Sequence, residues 1–100
     1  MRILAQLLEP VEAETPYGGR VVSYVPLGSV WLRIEERRRR ERTEAGLTLA
    51  VEVAAAETRA DPRLGEGLLI RFGGADWTIA AVEIDPDRPG RVSLNLERTR

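Results

Sequence analysis

The 100-residue sequence contains no cysteine and no histidine. Without cysteine there can be no disulfide bond, no thiolate nucleophile and no metal site built on sulfur. Without histidine the usual proton shuttle near neutral pH is missing, and the two absences together nearly exclude a zinc site. We therefore expect a protein that holds no metal ion and no cofactor.

Long hydrophobic runs are also missing. The apolar stretch at the N-terminus, Ile3 to Leu8, is interrupted by Gln6 and ends at Glu9. This stretch is too short for the core of a signal peptide. No part of the sequence approaches the roughly 20 apolar residues that a helix needs to cross a bilayer. The sequence therefore predicts no membrane-spanning segment and no membrane partner.

The chain has no excess of charge of either sign. Its 15 basic residues, all of them arginine, are balanced by 16 acidic residues, which gives a formal net charge of −1. Such a molecule has no global field that would draw it to nucleic acid or to an anionic membrane. Any attraction to phosphate must come from a local cluster of arginines.

What the sequence does contain is hydrophobic alternation with a period of two, which is typical of strands with one buried face. One hundred residues are enough for a single domain, here residues 1–100. The alternation and the intervening turns predict about seven short strands, over residues 11–15, 21–25, 30–35, 47–57, 68–72, 77–84 and 92–96. This pattern indicates a mainly β fold, a small antiparallel β-barrel or sandwich. At most one short helix is expected, over residues 41–46, with Gly46 ending it.

No set of residues suggests an enzyme. The three serines, Ser23, Ser29 and Ser93, lie within or at the edges of predicted strands, and none is in a nucleophile-elbow pattern. Glu35 and Glu36 are neighbours on a strand and therefore point to opposite faces. We predict that the protein has no catalytic residues.

The densest local charge is the run of five arginines within six positions: Arg37, Arg38, Arg39, Arg40 and Arg42. Like charges at this density repel one another, so the run is either solvated, paired with acids of a neighbouring subunit, or set against phosphates. A second candidate is Trp31, which lies on the strand face opposite Val30 and Leu32. An exposed tryptophan at this position would serve as a docking contact.

Four segments carry a resemblance to a known family. They are the opening Leu8–Glu12, the turn Tyr17–Arg20, the strand Val30–Glu35 and the late hairpin Ile70–Ile79. With these segments the sequence resembles the head–tail joining proteins of long-tailed phages, the connector or stopper subunits of phages and of phage-like particles such as gene transfer agents. The resemblance extends over about residues 8–98.

The resemblance implies a virion structural protein at the head–tail junction, assembled in the host cytoplasm. Such subunits form a ring of about six or twelve copies. The implied partners are other copies of the chain, portal and adaptor proteins, tail terminator or tail tube proteins, and the packaged double-stranded DNA. In this interpretation the five arginines contact a neighbouring subunit or DNA and Trp31 is a docking residue. The alternative is an autonomous nucleic-acid-binding small β-barrel, in which the arginine run follows phosphates and aromatic side chains stack on bases.

Overall fold

A computed structural model of the chain describes residues 2–99. Six antiparallel strands pair in the order β1-β2-β3-β6-β5-β4, and β4 pairs back with β1, so that the sheet closes into a barrel. Closure pairs both edges of the central part of the sheet. The strands are β1 (Arg2–Glu14), β2 (Arg20–Glu44), β3 (Leu47–Arg59), β4 (Leu69–Phe72), β5 (Ala75–Ile84) and β6 (Arg91–Thr99).

The barrel interior is filled by the apolar residues of the alternating pattern. Strand β3 contributes the small side chains of Ala54 and Ala56, whereas β5 contributes the large side chains of Trp77 and Ile79. Mixing small and large residues lets side chains fill the narrow space inside a small barrel. The buried cluster consists of Ala5, Leu7, Val30, Leu32, Ala54, Ala56, Ile70, Phe72, Trp77, Ile79, Val92, Leu94 and Leu96.

The predicted antiparallel β-barrel is confirmed, with six strands rather than seven. The prediction divided residues 21–35 into two strands at Pro26–Gly28, but β2 continues through this segment. The register of β1 and β2 shifts here, since Leu7 pairs with Gly28 and Leu8 with Pro26. The extra residue forms a β-bulge, which bends the strand without ending it. Gly28 has a φ of 132°, and the Arg63 guanidinium occupies the place where a Cβ would lie.

The short helix that the sequence allowed over residues 41–46 is not formed, which agrees with the expectation of at most one helix. Strand β2 continues to Glu44, and Ala45 and Gly46 form a two-residue turn into β3, with φ angles of 50° and 79°. Two consecutive positive φ angles are typical of the type I′ turn that matches the twist of a hairpin. The described residues contain no helix, and accordingly none long and apolar enough to cross a membrane.

Two hairpins extend beyond the barrel at opposite ends. Residues 9–14 of β1 pair only with residues 20–25 of β2, and we call residues 9–25 the acidic ribbon. Residues 41–44 of β2 pair only with residues 47–50 of β3, whereas residues 37–40 lie opposite the part of β3 that also pairs with β6. We call residues 37–50, which include the last part of the barrel and this extension, the arginine hairpin. Because β2 runs through the barrel from one hairpin to the other, the hairpins leave from opposite ends. The molecule measures 50 × 32 × 25 Å.

The turn at residues 45 and 46 generates a prediction about stability. Alanine at a φ of 50° is strained because its Cβ crowds the backbone, whereas asparagine adopts this conformation more readily. We expect Ala45→Asn to raise the free energy of unfolding by about 0.5–1 kcal/mol, measured by urea denaturation. Ala45→Val, which adds β-branching at the same φ, should lower it. An asparagine variant less stable than the parent chain would contradict this account of the turn.

Candidate functional site

The arginine hairpin leaves the barrel next to the buried side chain of Trp77. This side chain is 1% exposed and stacks on Phe72, with ring centroids 5.6 Å apart and an angle of 5° between the planes. The guanidinium carbons of Arg37 and Arg98 lie 5.4 and 5.1 Å from the centre of the indole ring. At these distances a cation is attracted by the electron density of the ring face. Two arginines therefore cover the tryptophan at this end of the barrel.

Glu52 holds the two arginines in place. Arg37 Nη2 donates a hydrogen bond to Glu52 Oε1 at 2.9 Å, and Arg98 donates from Nε and Nη2 to Oε2 at 3.2 and 3.0 Å. Although Glu52 is only 7% exposed, the hydrogen bonds from Arg98 and Arg37 lower the pKa of its carboxyl group. We call Trp77, Arg37, Arg98 and Glu52 the Trp77 cap. The Glu52 carboxylate offsets the repulsion between the two guanidinium groups, so that both can lie over the Trp77 ring.

The remaining arginines of the run alternate between the two faces of β2. Arg39 pairs across the strands with Glu52, on the side that continues the barrel interior, whereas Arg38, Arg40 and Arg42 lie on the outer side. Arg42 Nη2 donates to Glu97 Oε2 at 3.0 Å. Arg38 Nη1 lies 3.8 Å from Glu36 Oε1, a weak and exposed ion pair.

Within residues 2–99, the structure gives no ion pair to Arg39 or Arg40. The arginine run is therefore divided by function within the fold. Arg37 covers the core, Arg42 ties the hairpin to β6, and Arg39 and Arg40 keep guanidinium groups that another molecule could bind. The side chains of successive arginines point to opposite faces, which reduces the repulsion within the run.

Trp31 lies elsewhere, on the outer face of the barrel. Its side chain is 58% exposed, as the alternation predicted, and it is the cross-strand neighbour of Leu4, which is 53% exposed. Six residues of strand separate Trp31 from Arg37, or roughly 20 Å. The structure therefore does not bring the two predicted site elements together, and they belong to separate surfaces.

A groove of about 290 Å³ lies beside Trp31, and we call it the Trp31 groove. Glu57, 5% exposed, is bound in it by three arginines. Arg33 Nη2 donates to Glu57 Oε2 at 2.7 Å, Arg91 Nε donates to Oε1 at 3.0 Å, and Arg88 donates to Oε2. Burial opposes ionisation of Glu57, but the Arg91 hydrogen bond and the three positive charges outweigh it and lower the pKa.

Asp61 and Arg63 form a further pair at the rim of the Trp31 groove. Arg63 Nη2 donates to Asp61 Oδ2 at 2.7 Å, and this side-chain hydrogen bond, with one from the Arg63 backbone amide, lowers the Asp61 pKa to about 2. The same guanidinium donates to the Leu27 carbonyl at 2.9 Å. It thus fastens the loop after β3 to the bulge in β2.

Sequence reasoning missed Glu52, Glu57 and Arg98. A signal for Glu52 was present, because it has the same parity on β3 as the core residues Ala54 and Ala56 and must therefore face inward. Identifying its partners requires the register between β3 and β6, which the sequence alone does not give. Among residues 2–99 there is no group of three or more acidic side chains that could hold a metal ion.

Comparisons with known proteins identify one family and two similar structures. The family model described as phage head completion protein matches residues 1–96. A chain from the virion of a native gene transfer agent particle is 26% identical, with a TM-score of 0.72 over 97% of this chain and 93% of that chain. The protein xkdH of the phage-like element PBSX from Bacillus subtilis is 12% identical, with a TM-score of 0.65 over 98% of this chain and 94% of that one. No curated protein matches the sequence.

The Trp77 cap generates a prediction about pH. The folded-state pKa of Glu52 lies below its ordinary value of 4.5, so its stabilising effect is complete above that pH and is lost as the pH falls through the lowered value. We expect Glu52→Gln to be less stable than the parent chain at pH 7, with a difference that is smaller at pH 3. Denaturant titrations at both pH values measure the difference.

Glu83→Gln is the control, since Glu83 lies exposed on β5 and makes one hydrogen bond, to Asn95. That variant should stay close to the parent chain at both pH values. A Glu52→Gln difference that is the same at pH 7 and pH 3 would contradict the proposed role of the ionised carboxylate.

Proposed function

Because the chain belongs to the phage head completion protein family, we propose that this virion component is a connector or stopper subunit at the head–tail junction. In this proposal its copies form a ring that docks beneath the portal and adaptor proteins. The ring helps to retain the packaged double-stranded DNA and offers a platform to the tail terminator or tail tube. The role is structural and involves no reaction.

The observation that carries the proposal is the placement of two extended hairpins at opposite ends of one barrel. A joint between a head and a tail needs contact surfaces directed both ways along its axis. The acidic ribbon and the arginine hairpin provide two such surfaces, of different charge, on a molecule 50 Å long. The ends of both hairpins, residues 9–14 with 20–25 and residues 41–44 with 47–50, are two strands without a third strand beside them, so they leave room for contacts with other molecules.

The arginine hairpin is the part that we propose to face DNA or a neighbouring subunit. Residues 37–50 contain five arginines and two glutamates, a net charge of +3 in a chain whose total is −1. Arg39 and Arg40 supply the contacts, because their guanidinium groups are not occupied within the described chain. Arg37 and Arg42 hold the hairpin against the barrel through Glu52 and Glu97. Phosphates that meet such a hairpin in a channel are attracted without any base being read.

The joining role is tested by electron microscopy of particles from cells that lack the gene, prepared beside the parent strain. We expect capsids without tails, many of them emptied, with separate tails nearby. Intact tailed particles would overturn the proposal. The purified chain would then be examined for DNA affinity that falls steeply with salt, the behaviour of an autonomous nucleic-acid-binding barrel.

The arginine hairpin generates a more specific prediction. We expect Arg39→Ser with Arg40→Ser to fold normally, with Tm within a few degrees of the parent chain, because neither side chain is paired within the described chain. Particles carrying this double variant should lose packaged DNA or fail to attach tails, with yields of filled, tailed particles reduced about tenfold or more.

The matched control is Arg71→Ser. Arg71 is exposed on β4 and binds Asp76 in its own hairpin, with Nε donating to Oδ1 at 2.6 Å. Its replacement should leave particles unchanged. Normal particles from the double variant would mean that Arg39 and Arg40 contact only solvent. If Arg71→Ser reduced the yield of filled, tailed particles as much as the double variant, the cause would be the general loss of positive charge.

A further inference from the structure

Charged residues that face each other across neighbouring strands of this barrel have opposite charges, with two exceptions. Five such pairs in the described registers join opposite charges: Glu14 and Arg20, Arg33 and Glu57, Arg39 and Glu52, Glu52 and Arg98, Arg71 and Asp76. Two pairs join like charges, Arg2 with Arg33 and Arg59 with Arg91. Both exceptions line the Trp31 groove.

Like charges directly opposite each other on a sheet destabilise it. Glu57 offsets part of this cost, since it accepts hydrogen bonds from Arg33 and Arg91. The structure gives no ion pair to Arg2 or Arg59 within residues 2–99. The lining contains five arginines against Glu57 and Asp61, a net charge of +3. The groove therefore carries positive charge that its own chain does not neutralise.

The Trp31 groove also has an apolar anchor at its edge. Leu4 and Trp31 are cross-strand neighbours, and both are more than half exposed. Tryptophan and arginine are the residues most enriched among the contacts that dominate binding energy at protein interfaces. A duplex DNA backbone would supply anions to this groove but no apolar side chain for Leu4 and Trp31. The complementary ligand is a protein segment that presents carboxylates and apolar groups together.

The acidic ribbon of the chain has this composition. Residues 9–25 contain three glutamates and one arginine, a net charge of −2. The cross-strand register places Glu12, Glu14, Arg20, Val22 and Tyr24 on one face. Arg20 Nη1 donates to Glu12 Oε2 at 3.3 Å in a largely exposed ion pair, which leaves this face with a net charge of −1. Val22 and Tyr24 are exposed, and a two-stranded ribbon with both faces in water is only marginally stable. Such a ribbon gains order and burial when it binds another surface.

We propose that the acidic ribbon of one copy docks in the Trp31 groove of the next copy. Glu14, and Glu12 in exchange for its weak exposed pair with Arg20, then neutralise Arg2 and Arg59. The apolar residues of the same ribbon face cover Leu4 and Trp31. The ribbon and the groove are different surfaces of one molecule, so the contact is heterologous and can repeat around a ring. The inference rests on the proposed function, since the ring is what gives every groove a neighbouring ribbon.

Disulfide trapping tests this contact directly, because the chain has no cysteine of its own. A Glu12→Cys copy and an Arg59→Cys copy, mixed in equal amounts and oxidised, should give several-fold more cross-linked heterodimer than a matched pair. The matched pair combines Glu12→Cys with Arg40→Cys, which puts the second thiol on the arginine hairpin. Adding Arg2→Glu to the Arg59→Cys copy should reduce the yield to that of the matched pair.

Equal yields of heterodimer from the two pairs would overturn the proposal. A larger yield from the pair with Arg40→Cys would also overturn it, because the acidic ribbon would then bind the arginine hairpin of the neighbouring copy. A chain with Arg2→Glu and Arg59→Glu that lost affinity for duplex DNA, with no specific cross-link in the first experiment, would make the groove a nucleic-acid site. If the cross-link fails but the strain that lacks the gene makes tailless particles, only the ribbon–groove contact is wrong and the joining role stands. If the cross-link is specific but that strain makes normal tailed particles, the joining role is wrong and the contact stands.

Discussion

The length of β2 governs the shape of this protein. Residues 26–40 lie opposite the parts of β1 and β3 that belong to the barrel, and the other ten of its 25 residues extend beyond it. The excess extends from both ends of the barrel, and each extension is matched by one neighbouring strand. A strand of this length bends through the bulge at Leu27 instead of stopping there. The two hairpins, and all the surface that they offer to partners, follow from this mismatch.

The arginine hairpin leaves the barrel where the core would otherwise be open to water, and Glu52 resolves this conflict. An inward-facing carboxylate in an apolar barrel is costly unless it is paired. Here it binds Arg37 and Arg98, and these cations lie over Trp77 and complete its burial. One arginine of the run thus closes the barrel, which makes the start of the hairpin part of the folded core. Arg39 and Arg40 follow on the same strand, and the structure gives neither an ion pair within residues 2–99.

The sequence allowed prediction of those elements whose signal is local. Three features were predicted because each depends on a few neighbouring residues. They are the strand over residues 47–57, the turn at Gly73 and Gly74, and the exposure of Trp31. The continuous course of β2 could not be predicted from the sequence, because Pro26 and Gly28 are residues that commonly form turns. Only the pairing with β1 shows that this segment forms a bulge within one strand. Residues 41–46 suggested a helix end for the same reason, as Gly46 suits a helix terminus and a hairpin turn equally well.

The Trp31 groove shows why site residues are harder to predict than strands. Arg2, Arg33, Arg59 and Arg91 lie far apart in the sequence, and none stands out there beside the run at residues 37–42. The register of the strands brings them together, since it places Arg2 opposite Arg33 and Arg59 opposite Arg91. A sheet that elsewhere opposes unlike charges gains nothing for its own stability from these two pairs. Glu57 binds Arg33 and Arg91, whereas Arg2 and Arg59 are given no ion pair within residues 2–99. A partner that brings carboxylates explains these two arginines, and the proposed acidic ribbon would bring them together with exposed apolar side chains.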